Sequence, residues 1–242
     1  MACSIFSYTN AVLISDDIHS LREYLANSLT GMALEDEALR TGLIGLYGPG
    51  SPFGWRTEEG YCHITVDSLM LAIRGLKALV DENTDASREA LRTWLPLPTE
   101  LLRIAEHEMM WLITSGANHP ALLCARLHGE WLGNWSVTVE VVEGVLGIEQ
   151  FNPLLRTEAL RLLGRAKVEL GERAAAGEAA ERALAEAAGA KYVWLEMLSL
   201  RDLLKYSLPG AVEGVRARLR AVVSRMSASS EELTSILGEG VL

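Results

Sequence analysis

From Pro120 onward the chain alternates apolar, proline-poor stretches with connections of a few residues that contain glycine or asparagine. No other feature restricts the fold as much, because links this short leave successive helices little choice but to pack antiparallel. The helices expected from apolar spacing are Ala121–Trp131, Val137–Leu146, Pro153–Leu170, Ala174–Ala188, Tyr192–Leu203, Val212–Met226 and Glu231–Leu237. Composition agrees. Ala, Leu, Glu and Arg are abundant helix formers, only seven prolines occur, and 49% hydrophobic residues provide a core that a disordered chain would lack.

Upstream the pattern is looser. Asp16 or Asp17 can cap a helix bearing Ile18, Leu21, Leu25 and Leu29, and a shorter helix is expected over Leu34–Leu46. The segment Gly45–Trp55, GLYGPGSPFGW, is loop chemistry and marks a boundary. An amphipathic run follows from Thr65 to Val80 and is broken by Asp81–Thr84. A further helix starts at Pro98-Thr99-Glu100 and ends at Gly116 and Asn118. The expected organisation is an N-terminal helical element and loop (1–60), a helical repeat domain (61–228) and a short C-terminal helix or tail (229–242).

Within the alternating region, Thr157–Ala190 is a unit of 34 residues. Counted from Thr157, bulk falls at positions four and seven (Leu160, Leu163), and small residues at eight, twenty and twenty-seven (Gly164, Ala176, Ala183). Leu170-Gly171 closes its first helix. The unit resembles the tetratricopeptide repeat, whose bulky positions pack between paired helices while its small ones let them approach. A second unit begins at Lys191, with Trp194 at four, Met197 at seven and Leu204 at fourteen. Its later stripe, Val212, Val215, Leu219 and Val222, is shifted by two residues after the turn Leu208–Gly210. An earlier unit is marked by Leu132-Gly133, which echoes Leu170-Gly171 at a spacing of 38. The resemblance spans about His119–Met226. Gly129, Lys167 and Arg201 stand at position eleven, and Val142, Ala180 and Gly214 at twenty-four, where the family carries aromatics. The fold it implies is all-α, with antiparallel helix pairs stacked as a tetratricopeptide-like α-solenoid. An irregular α-helical bundle is the alternative.

In that family the first helix of each pair lines a concave surface. The resemblance therefore implies that Glu158, Arg161, Arg165 and Val168, then Tyr192, Leu195, Ser199 and Asp202, face a groove. Arg161, Arg165, Tyr192, Ser199 and Asp202 are the expected partner-binding residues. Arg161 and Arg165 lie one turn apart, so both guanidinium groups can address a carboxylate or an acidic peptide. The competing reading makes them surface arginines paired with neighbours such as Glu158 and Glu169. Trp111, Trp131 and Trp194 fall on apolar stripes and are expected to pack, whereas Trp55 and Trp135 lie near loops and are better placed for contact.

A formal net charge of -10 opposes a nucleic-acid partner, which needs clustered cations. Arg216, Arg218, Arg220 and Arg225 read as a solvated helix face. Cys3, Cys62 and Cys124 form no C-x-x-C pair and fit a reducing, cytoplasmic setting. The uncharged run Met109–Ala125 is interrupted by Gly, Asn and Pro, so no membrane span is expected. The glycine-rich loop lacks the lysine and Ser/Thr of a phosphate loop. His107-Glu108 meets Trp111 where a second zinc-ligating histidine would stand, and His119 and His128 have no ligand array around them. No catalytic residue, cofactor or metal is expected, and the chain reads as a non-enzyme. The function expected is a protein-interaction scaffold or adaptor binding a peptide or protein. The alternatives are an assembly or regulatory subunit, including self-association, and, last, an all-α enzyme without a recognised motif.

Overall fold

The structure is a computed structural model that describes Arg74, Ala78 and residues 84–103, 105–106, 120–148, 153–207 and 209–226. The helices expected over Ile18–Leu29, Leu34–Leu46 and Glu231–Leu237 lie outside the described residues, as do the Gly45–Trp55 loop, Trp111, His107 and His119. Among the described residues every regular element is helical and none is a strand. The chain divides into two compact units, Met1–Gln150 and Phe151–Leu242.

In the first unit, α1 (Asp85–Trp94) begins on a reciprocal cap. Thr84 Oγ1 accepts from the Ser87 amide at 3.2 Å, and Ser87 Oγ accepts from the Thr84 amide at 2.8 Å. Sequence reading passed over α1. Its residues are mostly polar, Leu91 is its one buried side chain, and serine replaces the usual Glu or Gln of the cap. Helical backbone resumes at 98–103, and Leu102 lies over Gly144, where a Cβ would come within 2.4 Å of it. The pair α2 (Pro120–Glu130) and α3 (Trp135–Leu146) pack on each other. Ala121–Ala125 and Leu127 are all buried, so α2 is enclosed on every side. Trp135 sits against Gly129, leaving no room there for a Cβ, and Thr138 Oγ1 donates to the Ala125 carbonyl at 2.8 Å. The ring near the loop is thus half-buried packing.

The second unit contains α4 (Pro153–Glu169), α5 (Arg173–Gly189), α6 (Val193–Tyr206), a 3-10 turn (Pro209–Ala211) and α7 (Val212–Val223). Side-chain pairings fix their directions. Arg156 meets Glu186 while Gly164 lies against Ala176, so α4 and α5 run antiparallel. Arg173, at the start of α5, donates to the Lys205 and Tyr206 carbonyls at the end of α6, making that pair antiparallel too. Arg161 meets Asp202 and Gly164 meets Tyr206, so α4 and α6 lie side by side and parallel. Arg225, just past α7, pairs with Glu196 in the first turn of α6. Consecutive helices therefore alternate in direction, each packed on the next, and α4 also touches α6.

Small residues permit this. A Cβ on Gly164 would lie 3.3 Å from the Ala176 carbonyl oxygen and 3.2 Å from the Tyr206 ring. The buried face of α5 is mostly alanine: Ala176, Ala179, Ala180, Ala183 and Ala187, with Leu184. An alanine face holds neighbouring backbones close but adds little apolar area. The bulk comes from Leu155, Leu160 and Leu163 on α4 and Leu195, Met197, Leu198, Leu200 and Leu203 on α6, each worth about 1.5–3 kcal/mol on full burial. On α7 the expected stripe is present, with Val215, Leu219 and Val222 buried and Val212 half-buried.

The turns after α4 and α5 share one hydrogen-bond pattern. The Glu172 amide reaches the Lys167 carbonyl and the Gly171 amide that of Val168; the Tyr192 amide reaches Ala187 and the Lys191 amide Ala188. Each needs a left-handed residue, which is Gly171 (φ 80°) in one turn and Lys191 (φ 59°) in the other. A lysine there carries a steric cost that glycine avoids. Lys191→Gly is expected to raise unfolding free energy by about 0.5 kcal/mol, whereas Gly171→Ala, with open space around it, lowers it by about 1 kcal/mol. Urea titrations followed by circular dichroism check both signs.

Candidate functional site

The side-by-side contact of α4 and α6 brings several of the expected site residues together. Arg161 Nε donates to Asp202 Oδ2 at 2.8 Å, and its Nη1 lies 3.2 Å from both Glu158 carboxylate oxygens. All three are buried, with residue exposures of 5–6%. Burial works against the Arg161 charge, but Glu158 and Asp202 outweigh it and hold the pKa above the ordinary guanidinium value. Arg201, also buried, places Nη2 3.7 Å from Asp202 Oδ1. Ser199 lies one turn before Asp202 and is fully buried, its hydroxyl making no hydrogen bond among the described residues.

The five expected partner-binding residues thus separate into two groups. Arg161, Ser199 and Asp202 are buried between elements, while Arg165 is exposed and Tyr192 is 37% exposed. Glu158 and Leu195, which the resemblance also placed on a groove, are buried. Trp131 packs as expected at 5% exposure. Trp194 departs from expectation: it is 40% exposed.

Three residues of this region escaped sequence reading: Arg201, Lys205 and Tyr206. Arg201 and Lys205 are one turn apart on α6, as Arg161 and Arg165 are on α4, and that parallel spacing was the available signal. Partial burial, then the charges of Arg201, Arg161 and Arg165, lower the Lys205 pKa, against the opposing pull of Asp202. Burial and Asp202 raise the Tyr206 pKa, so its phenol stays protonated. The cluster can hold oriented charge and donate hydrogen bonds. Among the described residues no group of His, Cys, Asp and Glu is placed to hold a metal ion, and no helix is long and apolar enough to cross a membrane.

In the first unit, His128 is buried with Nε2 3.1 Å from the Pro96 carbonyl oxygen. A carbonyl only accepts, so the ring proton resides on Nε2. Nδ1 has no hydrogen-bond partner among the described residues. Nearby, Arg126 Nε and Glu130 Oε1 form a buried pair at 2.9 Å.

Comparison with protein families, curated proteins and solved structures gives no match.

The buried polar groups of both units respond to substitution in ways that can be measured. Arg161→Met strands Glu158 and Asp202 in the interior and is expected to cost about 3–5 kcal/mol. The triple change Glu158→Gln, Arg161→Met, Asp202→Asn recovers most of that loss, and unfolding free energies across the set measure the coupling. For His128, desolvation depresses the folded pKa below 6.5, so the neutral ring's stabilisation is complete above that value. It is lost as pH falls from there through the folded pKa, at up to about 1.4 kcal/mol per pH unit. Urea midpoints at pH 7.5 and 5.5 are expected to differ more in the native chain than in His128→Gln, which keeps a neutral donor for Pro96.

Proposed function

We propose that the chain is a helical scaffold that binds a peptide or protein partner. The observation that carries this reading is the exposure of two large aromatics, Tyr192 and Trp194, where α6 begins. The rest of α6 is closely packed, with Leu195–Leu203 buried throughout. Single exposed apolar residues are ordinary, but a Tyr and a Trp both exposed at the start of one helix offer large area at low ordering cost. A rigid helix presents such side chains without loop ordering, which favours binding.

The tetratricopeptide-like α-solenoid remains the architecture we favour for this scaffold. It draws support from the close approach at Gly164, from the alternating directions of α4 to α7, and from the lateral contact of α4 with α6. These are the adjacencies that a stack of helix pairs requires. With Arg161, Ser199 and Asp202 buried, the binding surface shifts toward Tyr192 and Trp194, with Arg165 as a separate exposed contact.

The test is quantitative affinity capture from the native cell, comparing the intact chain with Tyr192→Ala, Trp194→Ala. Partners that bind directly are expected to fall by about tenfold or more in the double variant, equivalent to a loss of about 1.4 kcal/mol. Circular dichroism establishes that the variant stays folded. Unchanged capture by the folded variant removes this surface from consideration.

A further inference from the structure

His128 is buried with one ring nitrogen engaged and the other idle. Nε2 donates to the Pro96 carbonyl at 3.1 Å, whereas Nδ1 has no hydrogen-bond partner among the described residues. Pro96 belongs to the link Leu95–Pro98 between α1 and the helical backbone at 98–103, so this bond ties the link to α2. The two sides of the bond are unequally held. On α2, Ala121–Ala125 and Leu127 are all buried. On α1 only Leu91 is buried, and the start of that helix is secured by its own cap rather than by another element. In the link, Pro96 and Pro98 have no amide proton to donate, and Leu97 between them is 70% exposed.

We propose that His128 is a proton-operated latch: its neutral ring holds the link on α2, and its protonation at mildly acidic pH releases the link together with α1. The neutral ring suits the closed site, because its idle Nδ1 only accepts. A proton there adds a charge and a second N–H donor, both enclosed, with no partner for the donor among the described residues. The Pro96 carbonyl favours the charged ring, but burial outweighs it, so the closed state resists the proton. No charged neighbour enters that balance. On α2, Arg126 is paired with Glu130 at 2.9 Å, and Cys124, one turn before His128, is a buried thiol. On α1, Arg88 and Arg92 are paired with Asp85 and Glu89. Glu100, Arg103 and Glu106 after the link, and Glu140 and Glu143 on α3, are exposed. Release lets the imidazolium reach water, and the weakly held side yields. It bares Leu91 and Leu95 next to Leu97, so the latch places an apolar surface under the control of pH.

The experiment is hydrogen exchange on the full chain at pH 7.5 and 5.5, read by mass spectrometry and corrected for intrinsic exchange rates. Amides at 88–95 report the latch, and those of α3 and α5 serve as references. Opening at 88–95 is expected to rise by up to about tenfold at pH 5.5, with the references unchanged. An exposed imidazole of pKa about 6.5 gains roughly one proton over that interval, and the buried ring gains less. In His128→Gln, which keeps a neutral donor for Pro96, the rise is expected to vanish. The native chain alone is decisive where the variant does not fold. An equal rise in α1 and α3 means that the unit opens as a whole, and overturns the proposal. So does unchanged exchange at 88–95, or an undiminished rise in folded His128→Gln. The latch is independent of the protein-binding reading, which rests on α6, so the two fail separately.

Discussion

A guanidinium group inside a helical stack is tolerable only when its charge and its hydrogen-bond donors are met, and Arg161 imposes that requirement on everything around it. Glu158 answers from the preceding turn of α4, and Asp202 answers from α6. Because the second partner is on another helix, the pairing fixes how far α4 and α6 are offset along their axes. A slip of one turn, about 5.4 Å, would part Asp202 from the Arg161 guanidinium, while Glu158, on the same helix as Arg161, would stay with it. Apolar packing alone is less exacting, since leucines on neighbouring helices can interdigitate at more than one offset.

That lateral contact constrains the helix that connects the pair. The chain must travel back along α5 between two helices that touch, so α5 has to be slim on the side it presents to them. Its alanine face and Gly164 meet this need together. The charged pairing and the small-residue stripe are parts of one solution. The first sets the offset of α4 and α6, and the second lets α5 pack on both.

Much of this was legible from spacing. The helices from Pro120 to Val223 fall within a few residues of their expected limits, because apolar periodicity and glycine punctuation report local structure directly. Gly164, Ala176 and Ala183 are likewise legible, since a small residue in an otherwise bulky stripe marks a place where two helix backbones come close. The depth of Arg161 was not. Sequence order shows Glu158 three residues away, whereas Asp202 is forty-one residues distant, and only the folded stack reveals that they meet. Helix α1 was missed because a helix held by its cap and by one buried leucine has almost no apolar signature. Lys191 was equally opaque, since nothing about a lysine announces a left-handed backbone.

Trp194 shows how a pattern can hold in sequence and change meaning in the fold. At the fourth position of a repeat it would wedge between paired helices, and for that it needs a second helix reaching far enough along α6. Here α7 buries Val215, Leu219 and Val222, and where it ends a polar contact takes over, Arg225 with Glu196. Glu196 is buried and Arg225 half exposed, so the first turn of α6 is held by charge on one side. Trp194 is two residues before Glu196, about 200° around the helix, and so projects from nearly the opposite side. The two-residue shift of the α7 stripe, visible in the sequence as an irregularity, thus accompanies an exposed indole. In physical terms the polar contact that closes α7 on the first turn of α6 and the exposure of Trp194 on the other side of that turn belong together.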